Sequence, residues 1–426
     1  MKLAVLPVTC KNSARVTSLT KAWFEAALLR TKAYFERQSG GRAEFIHQVF
    51  DWTPLSFTTP EWSAEGTTVG DRVRPEAAAL HQADFSSFTH FVIIVDHAES
   101  HLGATFGRDT LMAAQDFNPA ILAHELGHVY GAGHTLLDSS SGPIEYGGPF
   151  CVMGAEGGKY SFLDGSLLLP NEGGSANHAM SGPGMSVPSM LSAGWFDLTQ
   201  HAVKAPLYSD GTTGSTFRIQ ALNGAPAKGA QQLPTCCYVD AGDRYLIEYR
   251  LAAASPWDAG VPAAGAPGGW IVVYRMPIDG PITSLQVAAE VAVPGAGFPA
   301  GRTEPFFIFG AGPLRIYVAA VAPASRTVDF RLSRKKGRPP NYEVPFEGFR
   351  QDFHLWSVDR GYQVISPTSP LFDVLSKMAQ LEDLRDLITV AGPRSQAGLA
   401  VAAERQIAQL RASVAQLRLQ PDAGPA

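Results

Sequence analysis

Apolar residues in the first part of the chain recur at two spacings, one typical of strands and the other of helices. Over residues 17–38 they stand three and four positions apart, which predicts an amphipathic helix that ends at Gly40 and Gly41. The same reasoning predicts strands over residues 2–9, 43–52 and 91–96, and a second helix over residues 69–83. Strands and helices that alternate in this order predict a twisted α/β layer.

Beyond about residue 196 the chain consists of short segments rich in branched and aromatic residues, separated by turns of glycine, proline and alanine. This pattern is typical of a β-sandwich. The predicted strands are residues 216–222, 244–251, 270–276, 285–293, 305–310, 314–321 and 327–332.

The C-terminal part shows a third pattern. A basic run at residues 334–340 is typical of a solvated linker. Apolar residues at steps of three and four then predict two amphipathic helices, over residues 371–390 and 396–419. These helices form either a hairpin or a short coiled coil, through which the chain would pair with a partner or with itself.

The three patterns predict an α+β protein, and its 426 residues suffice for two or three domains. We expect an α/β domain over residues 1–195 and a β-rich, sandwich-like domain over residues 196–333. A linker over residues 334–370 and a C-terminal helical segment over residues 371–426 complete the prediction.

A helix with two histidines four positions apart follows the predicted strand at 91–96. Asn118 can cap its free N–H groups. Pro119 stands at the first helical position, where a backbone N–H would have no partner within the helix and its absence costs nothing. Because His124 and His128 are about one turn apart, both imidazoles leave the same face of the helix and can reach a single ion.

His134 is the third ligand in this interpretation. Gly131 can adopt a positive φ and end the helix, which lets the chain turn so that His134 approaches the other two imidazoles. Three neutral imidazoles and a water molecule make an open tetrahedral zinc site. Glu125 would be the general base that takes a proton from the attacking water. The alternative is a helix whose histidines bond to protein groups and hold no metal.

The pattern His-Glu-x-x-His-x-x-Gly-x-x-His over residues 124–134 resembles the zinc motif of the metzincin metallopeptidases. In that family a methionine turn follows the motif and places a methionine beneath the metal. Met153, in the run Cys-Val-Met-Gly at residues 151–154, matches this turn. The alternative methionines are Met180, Met185 and Met190.

Within the metzincins, the chain is most similar to the immune-inhibitor-A-like peptidases and next to the gametolysin-like enzymes. The resemblance implies a metzincin-type catalytic domain with one catalytic zinc ion. Ala155 stands where some relatives carry a tyrosine after the methionine turn, so no tyrosine ligand or oxyanion donor is expected there. The stretches that carry the similarity are residues 34–41 ahead of Trp52, residues 146–154, and residues 192–195 ahead of 245–250.

The resemblance also implies a substrate-binding edge strand between residues 91–96 and the zinc helix. We assign this role to Ala104, Thr105, Phe106 and Gly107, whose free backbone groups would pair with an extended peptide. A plain surface loop is the alternative.

Two further groups of residues could bind metal. His97 and His101 have a spacing that suits a second metal site, although surface histidines also show it. The long irregular stretch 139–188 would form a wall of the cleft, and acidic and amide side chains in and beside it are candidates for Ca²⁺, without the spacing of a known calcium loop. The calcium candidates are Asp138, Glu145, Asp164, Asn171 and Glu172.

Charge and hydropathy limit the kinds of partner and the cellular compartment that we expect for this protein. A net charge of −5 argues against a nucleic-acid-binding surface, and no apolar run is long enough to span a bilayer. We expect an extracellular protein. The first apolar stretch is too short for a secretory signal, so we expect either a trimmed sequence or non-classical export. Action inside the cell is the alternative.

The four cysteines allow a Cys10–Cys151 disulfide or free thiols.

Three functions fit these observations. The first is a zinc endopeptidase whose protein or peptide substrate lies extended across the cleft. The second is a proteolytic effector or toxin, delivered without a classical signal, that docks through its C-terminal helices. The third is a zinc-stabilised binding protein without turnover, which the presence of Glu125 argues against because a structural site needs no base.

Overall fold

The computed structural model describes residues 1–13, 19–96, 103–137, 144–146, 148, 150–154, 160–167, 176–205, 216–225, 233–241, 243–261, 269–277, 283–290, 307–311, 314–334, 407–408 and 411. Apart from residues 407, 408 and 411, the predicted linker and C-terminal helices beyond residue 334 lie outside this part of the chain, as do His97 and His101. Where it is described, the chain combines helices with sheets, so the α+β class is confirmed.

The described chain contains α-helices and β-strands throughout. The α-helices are α1 (Lys21–Gln38), α2 (Thr59–Glu65), α3 (Val69–His81), α4 (Pro119–Val129), α5 (Val187–Ser192) and α6 (Leu198–His201). The strands are β1 (Lys2–Thr9), β2 (Ile46–Val49), β3 (Thr53–Pro54), β4 (His90–Val95), β5 (Gly103–Phe106), β6 (Asp109–Ala113), β7 (Leu136–Leu137), β8 (Ile144–Glu145), β9 (Phe162–Leu163), β10 (Met180–Ser181), β11 (Ala202–Lys204), β12 (Phe217–Gln220), β13 (Cys236–Ala241), β14 (Asp243–Arg250), β15 (Trp270–Met276), β16 (Thr283–Glu290), β17 (Phe307–Ala311), β18 (Leu314–Ala322) and β19 (Thr327–Arg334).

The N-terminal sheet has six strands in the order β2-β1-β4-β6-β5, with β3 also paired to β1. Its strands run parallel except β5, which is antiparallel to β6 and forms one edge. The predicted strands at 2–9, 43–52 and 91–96 are therefore confirmed.

The helices of this region agree with the sequence pattern, with one addition. The side chain of Thr20 caps α1 by accepting a hydrogen bond from Trp23 N, and α1 ends just before Gly40 and Gly41, both of which have positive φ. Helix α3 confirms the second predicted helix. The pattern does not predict α2, which begins where Thr58 N donates to the Glu61 carboxylate. None of the helices in the described residues has the length and apolarity needed to cross a bilayer.

Besides the two-stranded pair of β9 and β10, two further sheets lie downstream in the described part of the chain. The larger has the order β11-β13-β14-β15-β16-β7-β8 and the smaller the order β12-β19-β18-β17. Each segment predicted as a strand beyond residue 196 contains one, whereas the pattern does not predict β11 and β13. The larger sheet also includes β7 and β8, which follow α4 closely in the chain.

A shared core lies between the N-terminal sheet and the larger downstream sheet. Because side chains alternate between the two faces of a strand, β1 contributes Leu3 and Val5 to this core and faces α2 and α3 with the residues between them. Helices α1 and α4 lie in the same core, as do Leu246 and Val272 from the larger sheet. The opposite face of that sheet packs against the smaller sheet in a core of its own.

Buried charges also join the two predicted domains. Nη1 of Arg250, on β14, donates to the carbonyl oxygen of Met185 at 3.0 Å. The neighbouring Glu248 accepts a hydrogen bond from Val187 N at 2.9 Å. Arg250 and Glu248 are both fully buried. Strand β14 is therefore tied to the segment that precedes α5, across the boundary that the sequence pattern suggests.

The four cysteines, all of which lie in the described chain, are buried thiols and none forms a disulfide. Cys10 lies in the core beneath α2 and α3, whereas Cys151 lies in the core that contains α4. The Cys10–Cys151 disulfide is therefore excluded, and the thiol alternative is correct.

Candidate metal centre

Helix α4 begins and ends where the sequence predicts. The side chain of Asn118 accepts a hydrogen bond from Ile121 N at 2.9 Å, and Pro119 occupies the first turn. The helix ends at Val129, and Gly131 has a φ of +89°, a left-handed conformation that glycine adopts without strain. The chain can therefore turn back directly after the helix.

This turn brings His134 next to His124 and His128. Ring nitrogens from the three residues lie within 4.8 Å of one another. The Nε2 atoms of His124 and His128 are 3.2 Å apart. Two nitrogens bound to one tetrahedral zinc ion, with bonds of about 2.0–2.1 Å, would be separated by roughly 3.3 Å. His124 is buried and the other two rings are partly exposed, so the cluster can be reached from solvent.

The rings of His124 and His128 are oriented by main-chain carbonyl groups. Nδ1 of His124 lies 2.9 Å from the oxygen of Val152, and Nδ1 of His128 lies 2.9 Å from the oxygen of Ala132. Because a carbonyl oxygen can only accept, each Nδ1 carries the proton and each Nε2 keeps a lone pair for a cation. Burial lowers the pKa of His124 to about 4 and also lowers the pKa of His128, which favours the neutral rings that bind metals.

His134 is oriented by a side chain instead. Its Nδ1 lies 2.5 Å from Oε1 of Glu145. The two residues meet because β7 pairs with β8, where Leu136 stands opposite Glu145. Strand β7 also pairs in parallel with β16, where Thr283 stands opposite Leu136. The larger sheet therefore supports His134 through Glu145, a contact that the sequence pattern does not reveal.

Met153 lies beneath the helix that carries the histidines. It is fully buried, and a Cβ atom at Gly127 would lie only 2.5 Å from its sulfur, so the thioether packs directly on α4. The Met153 carbonyl oxygen accepts from Thr135 N at 2.9 Å. A Cβ atom at Gly154 would lie 2.3 Å from the Gly148 carbonyl oxygen, so only glycine fits this turn. Met185 also approaches Gly127, but its terminal carbon would lie 3.8 Å from the same Cβ atom, so Met153 packs closer to α4 at this point.

Glu125 follows His124 in α4, and its carboxylate lies against β5. The side chain is 5% exposed, and its Oε2 accepts a hydrogen bond from the Thr105 hydroxyl at 2.9 Å. Burial raises the pKa of Glu125 to about 7, although the bond from Thr105 acts in the opposite direction. A cation at the histidines would favour the charged carboxylate and lower this pKa. Glu125 thus has the environment of a proton acceptor beside the candidate centre.

The predicted substrate-binding residues lie at the edge of the N-terminal sheet. Ala104, Thr105 and Phe106 belong to β5, which among the described strands has a neighbour on one side only. Gly107 lies in the following turn with a φ of +58°. The residues 104–106 are therefore a strand rather than a plain loop. Through the Thr105 hydroxyl, this edge strand is in direct contact with Glu125.

Tyr146 lies over the imidazoles, a position that sequence reasoning missed. Its ring centroid is 4.1 Å from that of His134 and 6.1 Å from that of His124, and it is 42% exposed. Its φ of +62° is unusual for a residue other than glycine and costs roughly 1–2 kcal/mol. Burial raises the pKa of its hydroxyl, and the charges of Glu145 and Glu125 raise it further, so the hydroxyl is protonated at neutral pH.

The calcium candidates that the structure describes have other partners. Glu145 contacts His134, and Asp164 forms an ion pair with Arg30 at 2.5 Å and accepts from Ser166. The remaining candidates, Asp138, Asn171 and Glu172, lie outside the described residues.

The geometry defines a candidate centre of three histidines that could hold a transition-metal ion, with the buried carboxylate of Glu125 beside His124. No protein-family model matches the chain, and a search of curated proteins finds no significant match. The assignment therefore depends on the residues of the site themselves.

Proposed function

We propose that the protein is a zinc-dependent endopeptidase of the metzincin type. The observation that carries this proposal is the convergence of His124, His128 and His134 beside the buried Glu125. Among the described residues, no fourth histidine, cysteine or carboxylate joins the three rings. Structural zinc sites are usually closed by four protein ligands, whereas catalytic sites keep one position open.

Three imidazole nitrogens suit a zinc ion, and Glu125 and Thr105 suit peptide hydrolysis. Zinc held by the three Nε2 atoms would act as a Lewis acid and lower the pKa of water from about 15.7 towards about 7. Glu125 accepts the proton of the attacking water and later delivers it to the leaving amine. The Thr105 hydroxyl holds Oε2 of Glu125, so the carboxylate stays in one orientation during these transfers.

Two features next to the centre suit a polypeptide substrate. The free edge of β5 can pair with an extended peptide through backbone hydrogen bonds. A cavity of about 370 Å³, lined by His134, Glu145, Ser189 and Tyr274 among others, adjoins the centre and can receive a substrate side chain.

The finer assignments belong to the same proposal. They are a metzincin-type catalytic domain over residues 1–195, a β-rich domain over residues 196–333, and an extracellular site of action. Delivery as a proteolytic effector is the alternative, and it depends on the C-terminal helices, which apart from residues 407, 408 and 411 lie outside the described residues.

Metal removal tests the proposal. Dialysis against a chelator should remove activity towards casein or a peptide library, and one equivalent of Zn²⁺ should restore it. A His128→Gln variant should bind no zinc, whereas His47→Gln, which changes a histidine paired with Glu25 on another part of the surface, should bind zinc normally. A folded, zinc-loaded protein that cleaves no peptide would refute the proposed function, as would activity that persists without metal.

The carboxylate of Glu145 should strengthen metal binding through His134. A carboxylate bonded to Nδ1 fixes the ring and makes Nε2 more basic, and losing such a partner typically costs about 10–100-fold in metal affinity. We therefore expect Glu145→Ala to weaken zinc binding by about this factor in a competition titration with a chelator.

Glu36→Ala is the matched control, because Glu36 is an exposed glutamate whose partner is Lys32 on α1. This control should leave zinc affinity unchanged. Equal zinc affinity in Glu145→Ala and the wild type would show that the contact with His134 does not contribute to metal binding.

A further inference from the structure

The proposed reaction places a negative charge on the carbonyl oxygen of the substrate, and none of the three histidines, Glu125 or Thr105 offers a hydrogen-bond donor for it. When water adds to the scissile carbonyl, a C–O bond forms and the carbonyl oxygen becomes negative. The C–N bond then breaks, the charge returns to the carbonyl, and Glu125 transfers the proton from water to the departing nitrogen. Enzymes of this kind gain much of their rate from hydrogen-bond donors placed at that oxygen.

The other polar groups of the centre are already engaged. The three histidines use Nδ1 for protein acceptors, which leaves only lone pairs on the side of the cluster. The single hydroxyl hydrogen of Thr105 is used by Glu125 when that carboxylate is charged. None of these four side chains therefore has a free hydrogen to donate to the substrate oxygen.

Tyr146 is placed to be that donor. Its ring lies over two of the three imidazoles, at centroid distances of 4.1 Å and 6.1 Å, and is tilted only 24° from the plane of His124. It is partly exposed, so a bound substrate can reach it. Its positive φ is a conformation that residues other than glycine rarely adopt, and such strained backbone is concentrated at functional sites. The pairing of β8 with β7 holds the residue in this position.

We propose that the Tyr146 hydroxyl donates the hydrogen bond that stabilises the carbonyl oxygen during peptide hydrolysis. This inference rests on the proposed peptidase function. Tyr146 acts on the substrate and is not a metal ligand, and no proton is transferred from it in the overall reaction.

The test compares Tyr146→Phe with Tyr130→Phe. The first keeps the ring over the imidazoles and removes only the hydroxyl. The second removes a hydroxyl at the C-terminal end of α4, where Tyr130 donates to the Glu44 carbonyl oxygen. We expect Tyr146→Phe to lower kcat by about 10²–10³-fold, the usual cost of one lost oxyanion donor, with little change in KM. Tyr130→Phe should retain wild-type kcat.

Two binding measurements separate this role from others. Affinity for a phosphinic peptide, whose charged oxygens imitate the reacting carbonyl, should fall in Tyr146→Phe by a factor similar to the fall in kcat. Zinc affinity, measured without substrate, should not change. A fall in zinc affinity would make Tyr146 a ligand and overturn the inference, and so would unchanged kcat and unchanged phosphinic peptide binding. If the zinc-loaded wild type cleaves no peptide, the proposed function itself fails.

Discussion

Replacing Glu125 with glutamine is expected to stop peptide hydrolysis while the zinc stays bound. The amide has the same size and can still accept the hydrogen bond from Thr105, but it cannot take a proton from water. General acid–base catalysis typically contributes about 10²–10⁴-fold, so kcat should fall by at least this factor. Zinc content should stay at the wild-type level, because the proposed ligands are His124, His128 and His134. Metal analysis and hydrolysis of a chromogenic peptide on the same sample measure both quantities.

Glu25→Gln is a suitable control for this experiment, since Glu25 is paired with His47 and takes no part in the centre. It should retain wild-type turnover and zinc content. Wild-type turnover in Glu125→Gln would show that another group accepts the proton. Loss of zinc together with activity would show instead that Glu125 maintains the metal site.

Replacing Arg250 with methionine is expected to cause the largest loss of stability. Its guanidinium group pairs with Asp258 at 2.5 Å and lies 3.6 Å from Glu248, and all three side chains are buried. The substitution leaves two carboxylates in the core without their cation. Removing one partner of a buried ion pair typically costs about 3–5 kcal/mol, so the free energy of unfolding should fall by about that amount. Urea denaturation followed by circular dichroism measures the change.

The matched control for this variant lies on the same strand. Arg244 is 40% exposed and pairs with Asp240 at 2.8 Å. Surface ion pairs contribute about 0–1 kcal/mol, so Arg244→Met should have a small effect. Similar losses in the two variants would show that the buried ion cluster does not join the sheets as the structure indicates.

The type of each element was predictable where apolar residues cover one face. Helix α1 buries one side and exposes the other, so its period is visible in the sequence. Strand β13 was not predicted in this way, because it begins with Cys236 and Cys237, which are buried on opposite faces, and only Asp240 is exposed. Cys236 belongs to one core and Cys237 to the next. The shared core between the predicted domains could not be predicted from local patterns, because it depends on contacts between residues distant in sequence.

The part of the candidate site that lies on α4 and the turn after it could be predicted from the sequence. His124, Glu125 and His128 share two turns of α4, and Gly131 directs the chain towards His134. Glu145 and Tyr146 join them only through the pairing of β8 with β7. That pairing follows from the arrangement of the larger sheet, which no local pattern encodes. The sole signal for Tyr146 was its place at the start of the stretch that resembles the metzincin turn region.

The parallel pairing of Leu136 with Thr283 has a consequence for biosynthesis. The hairpin that orients His134 gains its neighbouring strand only after the ribosome has produced the chain beyond residue 283. A nascent chain shorter than this holds two histidines on one helix but lacks the support for the third. If the histidines bind zinc as proposed, zinc capture and hydrolytic activity would therefore be delayed until most of the polypeptide has been translated.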